Sequence, residues 1–390
     1  MGFPREPDER DVNRRMQAAA KRAFLLAAAG VLVIPSGAPA AAGSVPVEAT
    51  FIFGGDVLVH SQLWRQAAQN VGPLGRERGV SYDFRPMFGE IRRRVRSADV
   101  AICHLETPIV PSGERLSTFP RFGVPAEIAP ALADAGFDRC STASNHSLDR
   151  GMAGIQATIA ALEGAGISQA GMARNRGEIA PTIQIRDGLV YSHLSYTFGY
   201  NDGRSPDGER SRSALIDPRR IIADARAARA QGARVVIASL HWGVERRHEV
   251  SSYQRDVARA LARSGAVDLV VGHHAHVLQP IEQIEGMWVI FGLSNLLSNM
   301  PTDSRWPEAS QDGALVEVTL RVDEDMVSVG RPIVHPTWVD KKAGFVVREA
   351  IGGGGRADLA VGVRRSLHAS LARTMKLLGA FVPKSGRTES

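Results

Sequence analysis

Five short apolar runs, each ending in a polar residue able to bind metal, constrain this chain more than any other feature. FIFGG is followed by Asp56, AICHL by Glu106, and CSTAS by Asn145 and His146. VVIASL is followed by His241, and DLVVG by the cluster His273, His274 and His276. Runs of this length, separated by helix-like stretches, read as buried parallel strands. In an open α/β sheet, ligands bind outside the carboxyl ends of the strands. Groups scattered from position 56 to position 276 are therefore expected to converge on one sheet edge. Carboxylate, amide oxygen and imidazole together form the donor set of a hard or borderline divalent cation.

Composition narrows the alternatives. Of 390 residues, 44% are hydrophobic and 23% charged, ordinary values for a globular protein. The net charge is +6. Lys occurs only at positions 21, 341, 342, 376 and 384, so Arg supplies 42 of the 47 basic residues. These Arg are spread along the chain, whereas nucleic-acid binding needs them gathered on one face. No nucleic-acid partner is expected, although the positive charge would attract an anionic substrate.

The N-terminus reads as a targeting segment. Arg14, Arg15, Lys21 and Arg22 precede an apolar stretch over residues 23–35, followed by small residues with Ala38-Pro39-Ala40 as a cleavage site. That order is the pattern of a secretory signal over residues 1–42 and predicts an exported, extracytoplasmic protein of the cell envelope or medium. Thirteen apolar residues are short for a membrane span, so cleavage is preferred to an uncleaved anchor. Only Cys103 and Cys140 exist, in no C-x-x-C spacing. Buried free thiols are the simpler reading; a disulfide between neighbouring strands is the alternative that export permits.

Coarse periodicity places strands near residues 50–54, 99–104, 137–143, 189–196, 234–240, 267–271 and 288–292. Alternating residues at 314–322 and 327–334 predict antiparallel strands that finish the sheet. Helices are expected over residues 84–97, 126–135, 152–165, 218–231, 252–264 and 357–378. Residues 108–125 read as a loop over the site, 199–212 as a mobile loop, and the last six residues as disordered.

Six motifs in order carry a family resemblance: GDVLVH (55–60), HLETPI (104–109), SNHSLDRG (144–151), HWGVE (241–245), GHHAHVLQPIE (272–282) and FGLSNLLS (291–298). They resemble the blocks of the CapA family of poly-γ-glutamate capsule synthesis proteins, similar in fold to calcineurin-like metallophosphoesterases. The resemblance covers residues 49–340 as one domain and leaves residues 341–390 as a C-terminal extension with a peripheral helix. It implies a four-layer α/β sandwich of two mixed sheets with flanking helices. It also implies two divalent metal ions, drawn from Mn, Fe, Zn or Mg.

The resemblance assigns roles to individual residues. Asp56 stands as the first metal-binding carboxylate and Glu106 as the carboxylate that bridges two cations. Asn145, His241, His274 and His276 stand as the remaining ligands, and His146 as the catalytic residue facing the substrate's developing oxyanion. A bridging carboxylate suits the physics, because two nearby cations repel strongly. An H-x-H pair at a strand end would send both rings to one side. His104 replaces a usual Asn, Ser144 another Asn, Ala275 a Pro, and Arg246 an aromatic residue. His60, His104, Asp149, Glu245, His273 and Asn295 read equally as supports around the ligands or as ordinary turn, cap and packing residues. Trp242 reads as core, and His193, His248 and His335 as surface or packing residues.

Two functions follow as expectations. The first is an exported metal-dependent hydrolase-type protein acting in capsule or envelope polymer synthesis. It would attack a phosphoester, or an amide of a polyglutamate-like polymer. The second is a non-catalytic factor that binds an anionic polymer and assists its export. Either would suit a membrane-bound polymer synthesis or export complex.

Overall fold

Residues 45–201, 214–324 and 326–383 are described by a computed structural model of the chain. The expected signal, the expected mobile loop beyond residue 201 and the expected disordered tail lie outside those residues.

The apolar runs form strands of two mixed sheets. The first four strands are β1 (Val47–Leu58), β2 (Val100–Leu105), β3 (Arg139–Ser141) and β4 (Ser168–Ala170). Then come β5 (Ile183–Arg186), β6 (Leu189–Thr197), β7 (Val235–His241), β8 (Leu269–His273), β9 (Ile281–Ile284) and β10 (Met287–Ile290). The chain closes with β11 (Asn295–Ser298), β12 (Asp312–Asp323), β13 (Met326–Val329), β14 (Ile333–Asp340) and β15 (Val346–Glu349). One sheet runs β15-β14-β12-β1-β2-β3-β4, with β11 beside β1 and β13 beside β12. The other runs β5-β6-β7-β8-β10-β9. The centre of each is parallel, β1 to β4 in one and β6-β7-β8-β10 in the other. The outer strands are antiparallel, as the alternating sequence near the C-terminus predicts.

Side-chain parity builds the layers. Phe51, Phe53, Val100 and Ile102 point between the sheets and pack with Tyr191, Val235, Ile237, Leu269 and Val271 of the second sheet. Their neighbours Ile52, Ala101, Cys103 and Leu105 face the opposite way, toward Leu63, Phe84, Met87 and Leu132. On the far side, Val236, Ala238, Val270 and Val289 pack against Ile221, Ala225, Val257 and Leu261 of two helices. The order is helices, sheet, sheet, helices, the expected four layers. The two-residue period then puts His104, Arg139, Ser141, His193, Ser239, His241 and His273 on the buried inter-sheet face.

Local signals set the helix ends. Asp217 caps the helix Pro218–Ala230 by accepting from Arg219 N–H. Ser251 and Gln254 form a reciprocal cap on Ser252–Ser264, and Gly265, at φ +61°, ends it.

Several expectations are corrected. Residues 84–97 hold two short helices, Arg85–Phe88 and Arg92–Val95. Between them Gly89 and Ile91 donate to carbonyls three residues back, so the helical register breaks while Met87, Phe88, Ile91 and Val95 stay in the core. The helix Ser61–Asn70 was not foreseen. Residues 327–334 belong to two strands, β13 and β14, separated by Gly330, Arg331 and Pro332. Cys103 and Cys140 are opposite each other in β2 and β3 and form a disulfide across 37 residues, not free thiols. After residue 340, β15 pairs with β14, and the helix Val361–Leu378 packs Leu367 on Trp338 and Ala350.

Candidate metal centre

The strand ends meet between the sheets. Asp56 lies in β1 opposite His104 of β2 on one side and Asn295 of β11 on the other. Its N–H donates to Ser294 O at 2.8 Å, an approach that only Gly55 before it allows, since a Cβ there would lie 2.2 Å from the same oxygen. His241 and His273 end β7 and β8 in register. Glu106 directly follows β2. Asn145 and His146 lie in the turns between β3 and the helix Gly151–Gly164.

The six expected ligands lie in one contact network. Asp56 is fully buried; Oδ1 accepts from His273 Nδ1 at 3.1 Å and Oδ2 from the His274 N–H at 3.0 Å. His276 Nδ1 is 3.5 Å from Asp56 Oδ2, and its Nε2 is 3.8 Å from Glu106 Oε1. Asn145 Oδ1 lies 2.9 Å from His241 Nε2. The His241 and His274 ring centres are 4.6 Å apart.

The supporting residues divide clearly. His104 Nε2 lies 3.0 Å from His241 Nδ1, its Nδ1 lies 2.8 Å from Ser141 Oγ, and its ring stacks on His273 at 4.1 Å. His104 thus reaches the site from within β2. Asn295 Oδ1 accepts from His276 Nδ1 at 3.0 Å while its Nδ2 donates to Ser310 O. Asp149 Oδ2 accepts from His146 Nδ1 at 2.7 Å and from the Phe122 N–H, so it holds His146 rather than capping a helix. Glu245 gathers with His274 and His276 within 4.8 Å of ligand-atom separation, as do Asp56, Glu106 and His276, and Asp56, His104 and His273. His60 packs edge-on against Phe122 and accepts from the Asn299 N–H. Trp242 is core, donating to Phe291 O. His193 is buried between the sheets, so of the surface and packing alternatives it takes the packing one.

Sequence reasoning missed Asn201, Phe198 and Trp306. Asn201 accepts from Asn145 Nδ2 at 3.1 Å and lies 3.2 Å from His146 Nδ1. Phe198 and Trp306 pack on His274 and His276. All three come from loops, where no periodic signal marks them. The H-x-H pair also differs from expectation. His274 and His276 lie past β8 at φ +90° and +54°, so a left-handed turn rather than strand alternation aims them. Such backbone costs about 1–3 kcal/mol per residue and persists where surrounding contacts impose it.

Electrostatics match a cation centre. Burial raises the Asp56 carboxyl, but His273 and His276 outweigh it and hold it well below the usual range. Burial drives His104 and His241 well below 6.5, and His274 to about 3, so these imidazoles are neutral, the form that binds metal. Burial pushes Glu106 up to about 8. Burial would lower His276, yet the Glu106 and Asp56 carboxylates prevail and raise it to about 9. Without a cation this pair keeps protons that a cation would displace. Both Glu106 oxygens and His274 Nδ1 are buried and have no hydrogen-bond partner. Native interiors rarely leave such groups unpaired, and a divalent ion would satisfy them. The residues fit one.

Comparison with known proteins places this fold and family. A solved structure, the calcineurin-like phosphoesterase YfkN from Bacillus subtilis, aligns with a TM-score of 0.50 at 12% identity, over 85% of this chain and 99% of that one, which shows the fold. The PGA biosynthesis protein CapA of Bacillus subtilis is 29% identical over 197 residues, 50% of each chain. A "probable polyglutamine synthesis accessory protein" of Mycobacterium tuberculosis is 29% identical over 215 residues, 52% of this chain and 56% of that one. The chain thus spans about half the length of the curated relatives it matches. Residues 50–300, which hold every expected ligand, match the family described as bacterial capsule synthesis protein PGA_cap, and the chain belongs to that family.

Proposed function

We propose that this protein is an exported, metal-dependent hydrolase-type member of its family, acting on an anionic envelope polymer such as poly-γ-glutamate. The observation that carries the reading is Glu106, a buried carboxylate with both oxygens unpartnered, grouped with Asp56 and His276. Asp56, Glu106 and His276 would hold one divalent ion; Glu106, Asn145, His241 and His274 would hold a second. When bound, such ions polarise the scissile group and acidify an attacking water. The protein's own residues do the rest. Asp149 and Asn201 orient the His146 ring, whose Nε2 edge, 3.4 Å from Asn201 Nδ2, would turn to charge developing on the substrate. The centre lies between the sheets, which keeps bulk water away and strengthens each of these interactions. Export is supported by the basic–apolar–small N-terminus and by the Cys103–Cys140 pairing, which suits an oxidising compartment.

The test combines elemental analysis of the purified mature protein with hydrolysis assays on phosphoesters and γ-glutamyl oligomers. His146→Ala should keep its metals and lose about 10²–10³ of the rate, the typical worth of one oxyanion donor. Normal turnover with intact metals would remove His146 from the chemistry. Metal-loaded wild type with no turnover of either substrate class would favour a non-catalytic polymer-binding factor.

A further inference from the structure

The mouth of the metal centre carries an asymmetry that the ligand set does not explain. Two aromatic rings cover the outer imidazoles. Phe198, 45% exposed, lies 4.6 Å from His274, and Trp306 lies 5.9 Å from His276. Among the described residues, only the Trp306 side carries a fixed cation. The Arg246 guanidinium lies over the Trp306 ring at 5.2 Å. Its Nη1 donates to Arg305 O at 3.0 Å, and its backbone N–H donates to Ala275 O at 2.8 Å, within the H-x-H turn. Arg246 is left-handed, at φ +66°, and directly follows Glu245, whose carboxylate turns inward toward His274 and His276. Consecutive residues thus serve opposite purposes: Glu245 faces the centre and Arg246 faces the lip.

Three features separate this guanidinium from an ordinary surface Arg. It is solvent-exposed, yet among the described residues no carboxylate pairs with it. The nearby Asp303 is engaged by the N–H groups of Arg305 and Trp306. The stacking and the single carbonyl contact fix the guanidinium plane while leaving most of its N–H groups unused. A planar, pre-oriented fork of this kind matches an anionic oxygen pair, and its stacking on Trp306 removes much of the entropy loss that a free Arg would suffer on binding.

We propose that Arg246, held on Trp306, is a carboxylate-binding subsite that receives a free carboxylate of a polyanionic chain whose neighbouring linkage lies at the metal centre. The inference rests on the polymer reading above and names the residue that would select an acidic polymer over a neutral one. Trp306 forms the floor, and Phe198 forms the opposite wall for the apolar part of the chain.

The experiment is calorimetric binding of a γ-linked hexaglutamate and of its α-amide counterpart, with metal content measured on the same samples. Wild type should bind the free acid more tightly than the amide. Arg246→Met, which keeps an apolar stem over Trp306, should weaken the free acid about tenfold, leave the amide unchanged and keep its metals. Arg305→Met, an exposed neighbour with the same charge, should change neither ligand. Unchanged acid binding in Arg246→Met would overturn the subsite alone. Equal weakening of acid and amide, or an equal effect of Arg305→Met, would also overturn it, by showing a wall or a bulk-charge effect. A wild type that binds neither oligomer would bring down the polymer reading and the subsite with it.

Discussion

Two polar clusters lie on the same buried face between the sheets, and they are finished differently. One centres on Arg139 of β3. Its Nε–H donates to His193 Nδ1 at 3.1 Å, Nη1 to Ser168 Oγ at 2.9 Å, and Nη2 to Gln169 O and Thr182 Oγ1. His193 Nε2 passes the chain on to Ser239 Oγ at 2.8 Å. Among the described residues the charge has no carboxylate partner, and burial pushes the guanidinium down to about 10, yet its hydrogen-bonding groups are met across the two sheets. The other cluster, at the carboxyl ends of the same strands, leaves Glu106 and His274 Nδ1 unmet. Burial and polarity are common to both. What separates a strut from a site is whether the protein satisfies its own groups, since an unmet buried group costs about 1–3 kcal/mol.

Four measurements would break or sharpen that contrast. The largest effect is expected at Glu106. Glu106→Ala should bind fewer divalent ions than wild type by elemental analysis. It should also lose most of the metal-dependent stabilisation, which is about 2.7 kcal/mol per ion at a hundredfold excess over Kd. Unchanged stoichiometry would mean that the unmet carboxylate is not waiting for a cation. Arg139→Met should do the converse. It orphans His193, Ser168 and Thr182, so urea denaturation should show a loss of about 2–4 kcal/mol with metal content intact. A loss below about 1 kcal/mol, or loss of metal, would erase the distinction.

The disulfide gives a control on the opposite face of the same strands. Cys103→Ser with Cys140→Ser should cost about 2–3 kcal/mol and leave metal binding alone, because both side chains face the helices and not the inter-sheet layer. Metal loss in that variant would show that strand alignment, not ligand identity, limits the centre.

The smallest effect is in pH. In metal-free protein Glu106 is raised from 4.5 to about 8, so the fold keeps a proton that the unfolded chain has lost. His276, raised from 6.5 to about 9, does the same over its own range. Buried His104, His241 and His274 are neutral in the fold and oppose this near pH 6.5, so proton binding is greater in the folded state between about pH 7.5 and 9, and stability should fall as pH rises there, by about 1 kcal/mol per unit. Divalent ions should flatten the slope and release protons on binding. A flat metal-free profile, measured by chemical denaturation across that window, would show that the pair does not hold these protons in the fold.

Much of this architecture was legible in the chain because burial leaves a direct mark. Strands covered on both faces must be continuously apolar, so β1, β2, β7 and β8 stand out, and a polar residue closing such a run is conspicuous. The same logic exposed Asp56, Glu106, His241 and His274. The helices were less secure. At residues 84–97 an apolar spacing that suits one helix also suits two short turns, and only packing against the first sheet chose between them. The pairing of Cys103 with Cys140 depended on register, which apolar content does not encode.

The sequence by itself determined which residues could meet, since strand period and strand order follow from local composition. The tertiary structure alone decided how they meet. The left-handed turn at His274 and His276, the Asn201, Phe198 and Trp306 side chains and the guanidinium over Trp306 come from loops or from contacts between loops. Loop positions answer to the groups around them in space rather than to a repeating pattern along the chain. The same holds for the satisfied Arg139, which opens β3, and the unsatisfied Glu106, which follows β2: both are charged residues beside buried apolar runs, and the neighbours brought from the other strands decide whether their groups are met.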